Sequence, residues 1–252
     1  MTPLLIGLLA AAFIIGIAIG SVGVGGVLLG PTLIFVAGIE VHRAMATSLW
    51  SFAFTGIAGA LMYAQRGSIP WRLARDLVAG ALPGALVGVQ VNVGLPEGAL
   101  VALLGLVCVG SGILSFRPPA AVVGCSMHMG TLASVGVGAV VGFASTLTGT
   151  GGPVLALPLL LLLGVPVLPA IGASQLLQLP VAASGTLAHL PSGRVDIGLG
   201  LMLGLIETVG LTLGVRVAHA LSPRRLGRLV ALALIGAGTF ILIRVAVSSF
   251  AT

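Results

Sequence analysis

The residues able to do chemistry in this sequence are two sets of glycines and a handful of polar groups set inside apolar stretches. Gly25 and Gly26 close the run Gly20-Ser21-Val22-Gly23-Val24-Gly25-Gly26, and Gly151 and Gly152 close Thr148-Gly149-Thr150-Gly151-Gly152; a short apolar stretch follows each. A helix that begins at such a pair leaves its first amides without intrahelical partners and points its positive dipole end outward, a backbone site for a small oxyanion. Thr47 and Ser48, with Ser174, Gln175 and Gln178, sit near the starts of two longer apolar segments and could add hydroxyl and amide donors. Glu207, in Leu203-Gly204-Leu205-Ile206-Glu207-Thr208-Val209-Gly210, is a carboxylate in mid-segment, where it must be partnered or carry a proton. It is the proton-coupling candidate.

Each of these has a plainer reading. The glycines could serve close helix packing. The hydroxyls could cap helices or bond their own i−4 carbonyls, and Glu207 could hold a structural hydrogen bond or an arginine. Asp76, beside Arg75 and four residues after Arg72, reads as an interfacial ion pair. Tyr63 and His189, Trp71 beside Arg72, and His42 and His128 fall near segment edges, where interfacial anchoring is the simplest role; His219 falls among arginines. Trp50 lies deeper and could pack or gate, Gln90 and Asn92 could line a vestibule, and Arg194 faces Asp196 in a short turn. Cys108 and Cys125 form no C-x-x-C pair, and no histidine has metal-ligand spacing, so no cofactor and no metal are expected.

These residues are carried by an exceptionally apolar chain. Of its 252 residues 58% are hydrophobic and 6% charged, and the mean hydropathy is +1.25, which places it among multi-pass membrane proteins. The net charge of +6 comes from 11 arginines, with no lysine, gathered in short connecting segments. That distribution marks topology and gives no footprint for nucleic acid. No basic segment precedes the first apolar run, so residues 3 to 20 are expected to stay in the mature protein.

The segments read as a run over 3–20, the glycine break, a half-length run over 27–38, then 44–64, 71–93 and 96–116. The plan recurs as 130–147, a break, 153–164, 170–190, 197–219 and 224–247. A run of 12 residues covers only about half of a ~30 Å hydrocarbon layer. One offset of 126 residues carries Gly23, Gly25 and Gly26 onto Gly149, Gly151 and Gly152. It also carries Gly16, Gly38, Gly59, Gly67, Gly84, Gly88, Gly110 and Gly112 onto Gly142, Gly164, Gly185, Gly193, Gly210, Gly214, Gly236 and Gly238. Chance would give about three such pairs, so the chain is two homologous repeats, 1–126 and 127–252, forming one integrated transmembrane domain.

Arginine placement bears on their orientation. Arg66, Arg72 and Arg75 flank one loop of the first repeat, whereas Arg216, Arg224, Arg225 and Arg228 flank the other loop of the second. If arginine-rich loops are cytoplasmic, the repeats are inverted, each a broken or re-entrant segment plus three transmembrane helices, with both termini outside. Parallel repeats with eight simple crossings are the alternative.

Gly23-Val24-Gly25-Gly26 with Pro31, Gly38-Ile39, Ala46-Thr47-Ser48-Leu49, Arg66-Gly67-Ser68-Ile69-Pro70-Trp71-Arg72 and Pro83-Gly84-Ala85-Leu86-Val87-Gly88, echoed in the second repeat, resemble the sulfite exporter TauE/SafE family of membrane permeases. Val27 and Pro153 stand where that family often has a further glycine. The resemblance implies a permease of the cell membrane carrying sulfite, organosulfonates or related sulfur-containing anions, commonly outward.

The reading that combines residues and resemblance is a secondary transporter of small sulfur-containing anions. It would alternate access around a midplane site built from Gly25, Gly26, Thr47, Ser48, Gly151, Gly152, Ser174, Gln175 and Gln178, with Glu207 as proton carrier. An anion channel, an importer of another small anion, and a non-transporting structural subunit are the alternatives. An enzyme is not expected: neither a G-x-S-x-G elbow, an H-E-x-x-H helix nor a G-x-x-x-x-G-K-[ST] phosphate loop is present. The expected partners are the anion and the bilayer, with no nucleic acid; a homodimer is left open.

Overall fold

The structure is a computed structural model that describes residues 2–23, 25–116 and 130–250; Val24, Cys125 and His128 lie outside the described residues. Every regular element among these residues is a helix. In order they are α1 (Thr2–Val22), α2 (Gly26–Phe35), α3 (Val41–Gln65), α4 (Trp71–Gly94), α5 (Glu97–Phe116), α6 (Thr131–Thr148), α7 (Pro153–Leu162), α8 (Val167–His189), α9 (Ile197–Ala220) and α10 (Pro223–Phe250). Six of them, α1, α3, α4, α6, α8 and α9, are long and apolar enough to cross a membrane. The protein is a multi-pass membrane protein. The helix boundaries recur at the glycine offset: Trp71–Gly94 and Ile197–Ala220 begin and end 126 residues apart.

Local chemistry sets several of the boundaries. Glu40 caps α3 by accepting from the amides of His42 and Arg43, at 3.1 and 2.9 Å, and Asp196 caps α9 by accepting from Leu199 N at 3.0 Å. α6 ends at Gly149, whose φ of +68° is the left-handed conformation that glycine adopts without cost. Pro153 then occupies the first turn of α7, where a missing N–H costs nothing.

The centre of the molecule is the antiparallel pair α3 and α8. Gly56 lies against Gln178 and Leu179, Gly59 against Gln175, and Gly185 against Leu49, so the two helices cross near their midpoints in opposite directions. Outside this pair α1 runs parallel to α9, with Gly16 seated on the backbone of Glu207, Gly210 on that of Phe13 and Gly214 on that of Ile17. α6 runs parallel to α4 in the same way: Gly80, Gly84 and Gly88 meet the backbones of Val135, Ala139 and Phe143, and Gly142 meets Ala81. Where no side chain stands between two helices their backbones can close to contact, which is how small residues hold membrane helices together. α5 and α10 form a second antiparallel pair through Gly105, Gly112 and Gly238. The first helix of each half therefore packs on the fourth helix of the other.

The outer surface carries exposed Ile14, Leu61, Leu86, Leu106 and Leu205, as a lipid-facing belt requires. Tyr63 and His189 are not part of that rim. Both are buried, at 0% and 1% exposure. The Tyr63 hydroxyl donates to the carbonyl of Gly20 at 2.9 Å, fastening the end of α3 to the end of α1.

Candidate functional site

Both glycine breaks lie inside the bundle, and they touch. After α1 the chain turns at Gly23, φ +72°, and folds back so that Gly25 lies against Ile15 and Ile19 of α1 before α2 begins. The second break turns through Gly149, Gly151 and Gly152, the last two at φ +81° and +111°, before α7 begins. A Cβ on Gly26 would stand 2.8 Å from the carbonyl oxygen of Thr150 and 3.2 Å from the ring of Phe52. One on Gly151 would stand 2.6 Å from the same ring, and one on Gly152 would stand 3.5 Å from Cα of Gln178. Gly26, Gly151 and Gly152 thus converge on Phe52 and Gln178, with Gly25 next to Gly26, at the level where α3 and α8 cross. Neither α2 nor α7 is capped by a side chain, so the positive ends of two ten-residue helices face this point. Pro153 has no N–H, which leaves α7 with one amide fewer than α2.

The glutamines border the breaks, with their donors already engaged. Gln175 Nε2 donates to Ile19 O at 3.1 Å, and Gln178 Nε2 donates to Phe52 O at 3.0 Å and to Thr55 Oγ1 at 2.9 Å. Both Oε1 atoms are buried without a partner among the described residues. The three hydroxyls make their hydrogen bonds elsewhere. Ser48 donates to Ala44 O and Ser174 to Ile171 O, each at 2.8 Å within its own helix. Thr47 Oγ1 accepts from Asp196 N at 3.1 Å and pins the α8–α9 turn to α3.

Glu207 is fully buried on α9, at the contact with Gly16 of α1. Among the described residues neither carboxylate oxygen meets a donor in hydrogen-bonding geometry; Ser51 of α3 faces it but donates to Ser48 O at 2.8 Å. The two ion pairs among the described residues lie elsewhere: Arg75 with Asp76 at 3.3 Å, and Arg43 with Asp196 at 3.0 Å. Asp196 therefore pairs across the two halves with Arg43, not with its neighbour Arg194, because the α8–α9 turn is drawn against the start of α3. Trp50 reinforces that seam by donating Nε1–H to Ile197 O at 3.2 Å.

Sequence reasoning passed over Phe52 and the hydroxyls of Thr146, Thr148 and Thr150, and it set Asn92 in a vestibule and not at a helix contact. Phe52, the ring against which both breaks close, is the residue that the 126-residue offset pairs with Gln178. Asn92 donates to Leu147 O at 2.8 Å, and Thr146 Oγ1 lies 3.0 Å from Ala85 O, so α4 is tied to the last turns of α6. The second break also carries a hydroxyl pair, Thr148 and Thr150, 3.1 Å apart, where the first has Val22 and Val24. Comparing the repeats position by position would have revealed this polar asymmetry. Gln90 is exposed, Cys108 is buried as a free thiol, and no group of three or more His, Cys, Asp or Glu able to hold a metal occurs among the described residues.

At the rim, burial raises the Glu40 carboxyl, but the amides of Arg43 and His42 outweigh it and hold the group below the usual carboxylate range.

A family model described as Sulfite exporter TauE/SafE matches residues 8–241. The chain is 26% identical over 193 residues to the probable membrane transporter protein YdhB of Bacillus subtilis, covering 73% of this chain and 78% of that one. It is 29% identical over 160 residues to the probable membrane transporter protein y4hK of Sinorhizobium fredii, covering 62% and 64%. No solved structure matches the chain.

Proposed function

The chain belongs to the sulfite exporter TauE/SafE family, and from that premise we infer that it is a secondary transporter moving small sulfur-containing anions, such as sulfite or organosulfonates, out of the cell. The observation that carries this reading is the meeting of two uncapped half-length helices at the bundle centre. Their positive ends, at Gly25-Gly26 and Gly151-Gly152, face one point beside Phe52 and Gln178. Discontinuous helices that aim their N-termini at a midplane point are a recurrent solution for binding an anionic group in lipid. The reversal after α1 keeps irregular backbone inside the protein, where it is tolerated.

Alternating access follows if the two halves are inverted repeats. Supporting that orientation, α8 is the counterpart of α3 yet runs antiparallel to it, and α10 is antiparallel to its counterpart α5. Each half would then rock against the other about the α3–α8 crossing, opening the anion site to one face and then the other. Glu207, without a hydrogen-bond partner and beside the α1–α9 contact, is the group we assign to proton coupling. Its counterpart in the first half is Ala81, so coupling would belong to one half alone.

The test is flux of sulfite, with sulfate and taurine as comparators, into liposomes holding the purified protein, with and without an imposed pH gradient. Selective sulfite movement, accelerated by the gradient, is the expected result. Movement of none of the three would remove the substrate assignment.

A further inference from the structure

An open cavity of about 760 Å³ lies where α4 begins, lined by Trp71, Arg72, Ala74, Arg75 and Val78 of α4 and by Leu176 of α8. Its lining is graded. Trp71, Arg72 and Arg75 are exposed at the first turn, whereas Ala74, Val78 and Leu176 are buried or half-buried. Val78 lies seven positions beyond Trp71, so the groove descends ~10 Å from its charged rim to its apolar floor. Arg72 makes no hydrogen bond or ion pair to any described residue. Among the described residues Arg75 reaches only Asp76, at 3.3 Å, while three quarters of its side chain stays exposed. The Asp76 carboxylate is nearly covered and neutralises one of the two guanidiniums at most, which leaves a net positive rim. Trp71, 62% exposed beside these arginines, has the placement of an interfacial aromatic.

We propose that this groove is a binding site for an anionic glycerophospholipid, its phosphate on Arg72 and Arg75 and an acyl chain laid along Ala74, Val78 and Leu176. A small hydrophilic anion would satisfy the rim but leave the apolar floor wet, whereas a lipid satisfies both. Guanidinium groups suit phosphate because they present paired donors in one plane. A zwitterionic headgroup sets its own cation against the same arginines and is excluded on charge. The site lies at the bundle edge and does not depend on what crosses the centre.

The experiment is native mass spectrometry of the full chain in detergent, titrated with phosphatidylglycerol or phosphatidylcholine of identical acyl chains. The wild type is expected to retain phosphatidylglycerol with a several-fold preference. Loss of charge should weaken retention about fivefold per arginine, roughly 25-fold in R72Q/R75Q. Phosphatidylcholine retention should not change. Equal retention of the two lipids by the wild type, or undiminished phosphatidylglycerol binding by R72Q/R75Q, would overturn the proposal. So would displacement of the lipid by equimolar glycerol 3-phosphate or inorganic phosphate, which would make this a site for soluble phosphates. If the double variant elutes as aggregate, R72Q alone decides, since Arg72 has no partner to lose among the described residues.

Discussion

Gln178 donates its side-chain amide to the carbonyl oxygen of Phe52 at 3.0 Å, and Phe52 is the residue that occupies Gln178's own place in the first half of the chain. Two counterparts meeting in this way mark the centre of the α3–α8 crossing, and both glycine breaks close on the same pair. Replacing Gln178 by Leu removes donors from Phe52 O and Thr55 Oγ1 and also removes the unpartnered Oε1. The net cost should be about 1 kcal/mol, read as a Tm lower by a few degrees in detergent. Sulfite flux should fall tenfold or more if the glutamine also borders the anion. A lowered Tm with flux intact would leave Gln178 as a tie between helices and nothing more.

The approach of the breaks can be tested with one methyl group. On α2, a Cβ at Gly26 would press on Thr150 O at 2.8 Å, whereas a Cβ at Gly30, one turn on, meets nothing within 4 Å. Neither glycine has a positive φ, so backbone strain does not separate the two positions. Gly26→Ala should force the breaks apart and abolish most flux while the protein still reaches the membrane. Gly30→Ala should keep full flux and gain a few tenths of a kcal/mol from helix propensity. Equal flux in the two variants would move the anion site away from the breaks.

How much of this arrangement could be read before the structure depends on the interaction involved. The break positions and the recurrence of helices were legible, because glycine and proline act on their own backbone and the 126-residue offset needs no contact to be seen. Burial of Tyr63 and His189 was not legible. Their positions at helix ends suggest an interface, and only the assembled bundle brings Gly20 of α1 and His219 of α9 against Tyr63. The pairing of Asp196 with Arg43 was hidden for a related reason: the nearer cation in sequence is Arg194, and choosing between them requires knowing that α3 and α8 are antiparallel. Gln175 and Gln178 stand beside the breaks with their Nε2 donors taken by carbonyls of α1 and α3, a pairing that depends on which helices pack together and leaves no mark in the sequence.

A substitution at Glu207 tests whether coupling can be separated from transport. Substituting Gln keeps the size and removes the ionisable proton, and no ion pair to a described residue is lost. Glu207→Gln should therefore fold with a melting temperature close to that of the wild type. Counterflow exchange of labelled sulfite should persist at a comparable rate, while acceleration by a pH gradient disappears. A variant that still responds to the gradient as the wild type does would place the coupling proton on another group or on the substrate itself.

Glu40 offers a pH test outside the membrane span. Its carboxyl is held below the ordinary carboxylate range by the amides of His42 and Arg43, which bond the ionised form at the start of α3. A depressed folded value means that the unfolded chain takes up the proton first as pH falls. The stabilisation is therefore fully present above the unfolded value and is lost as pH drops through the folded one. Glu40→Gln keeps an acceptor but gives up the charge at the helix N-terminus, a change of about 1 kcal/mol or less for so exposed a group. The Tm gap between wild type and variant should be constant from pH 8 to about pH 5 and should shrink towards zero in more acid solution. A gap that persists unchanged in acid would show that side-chain shape, not ionisation, is what Glu40 contributes to the start of α3.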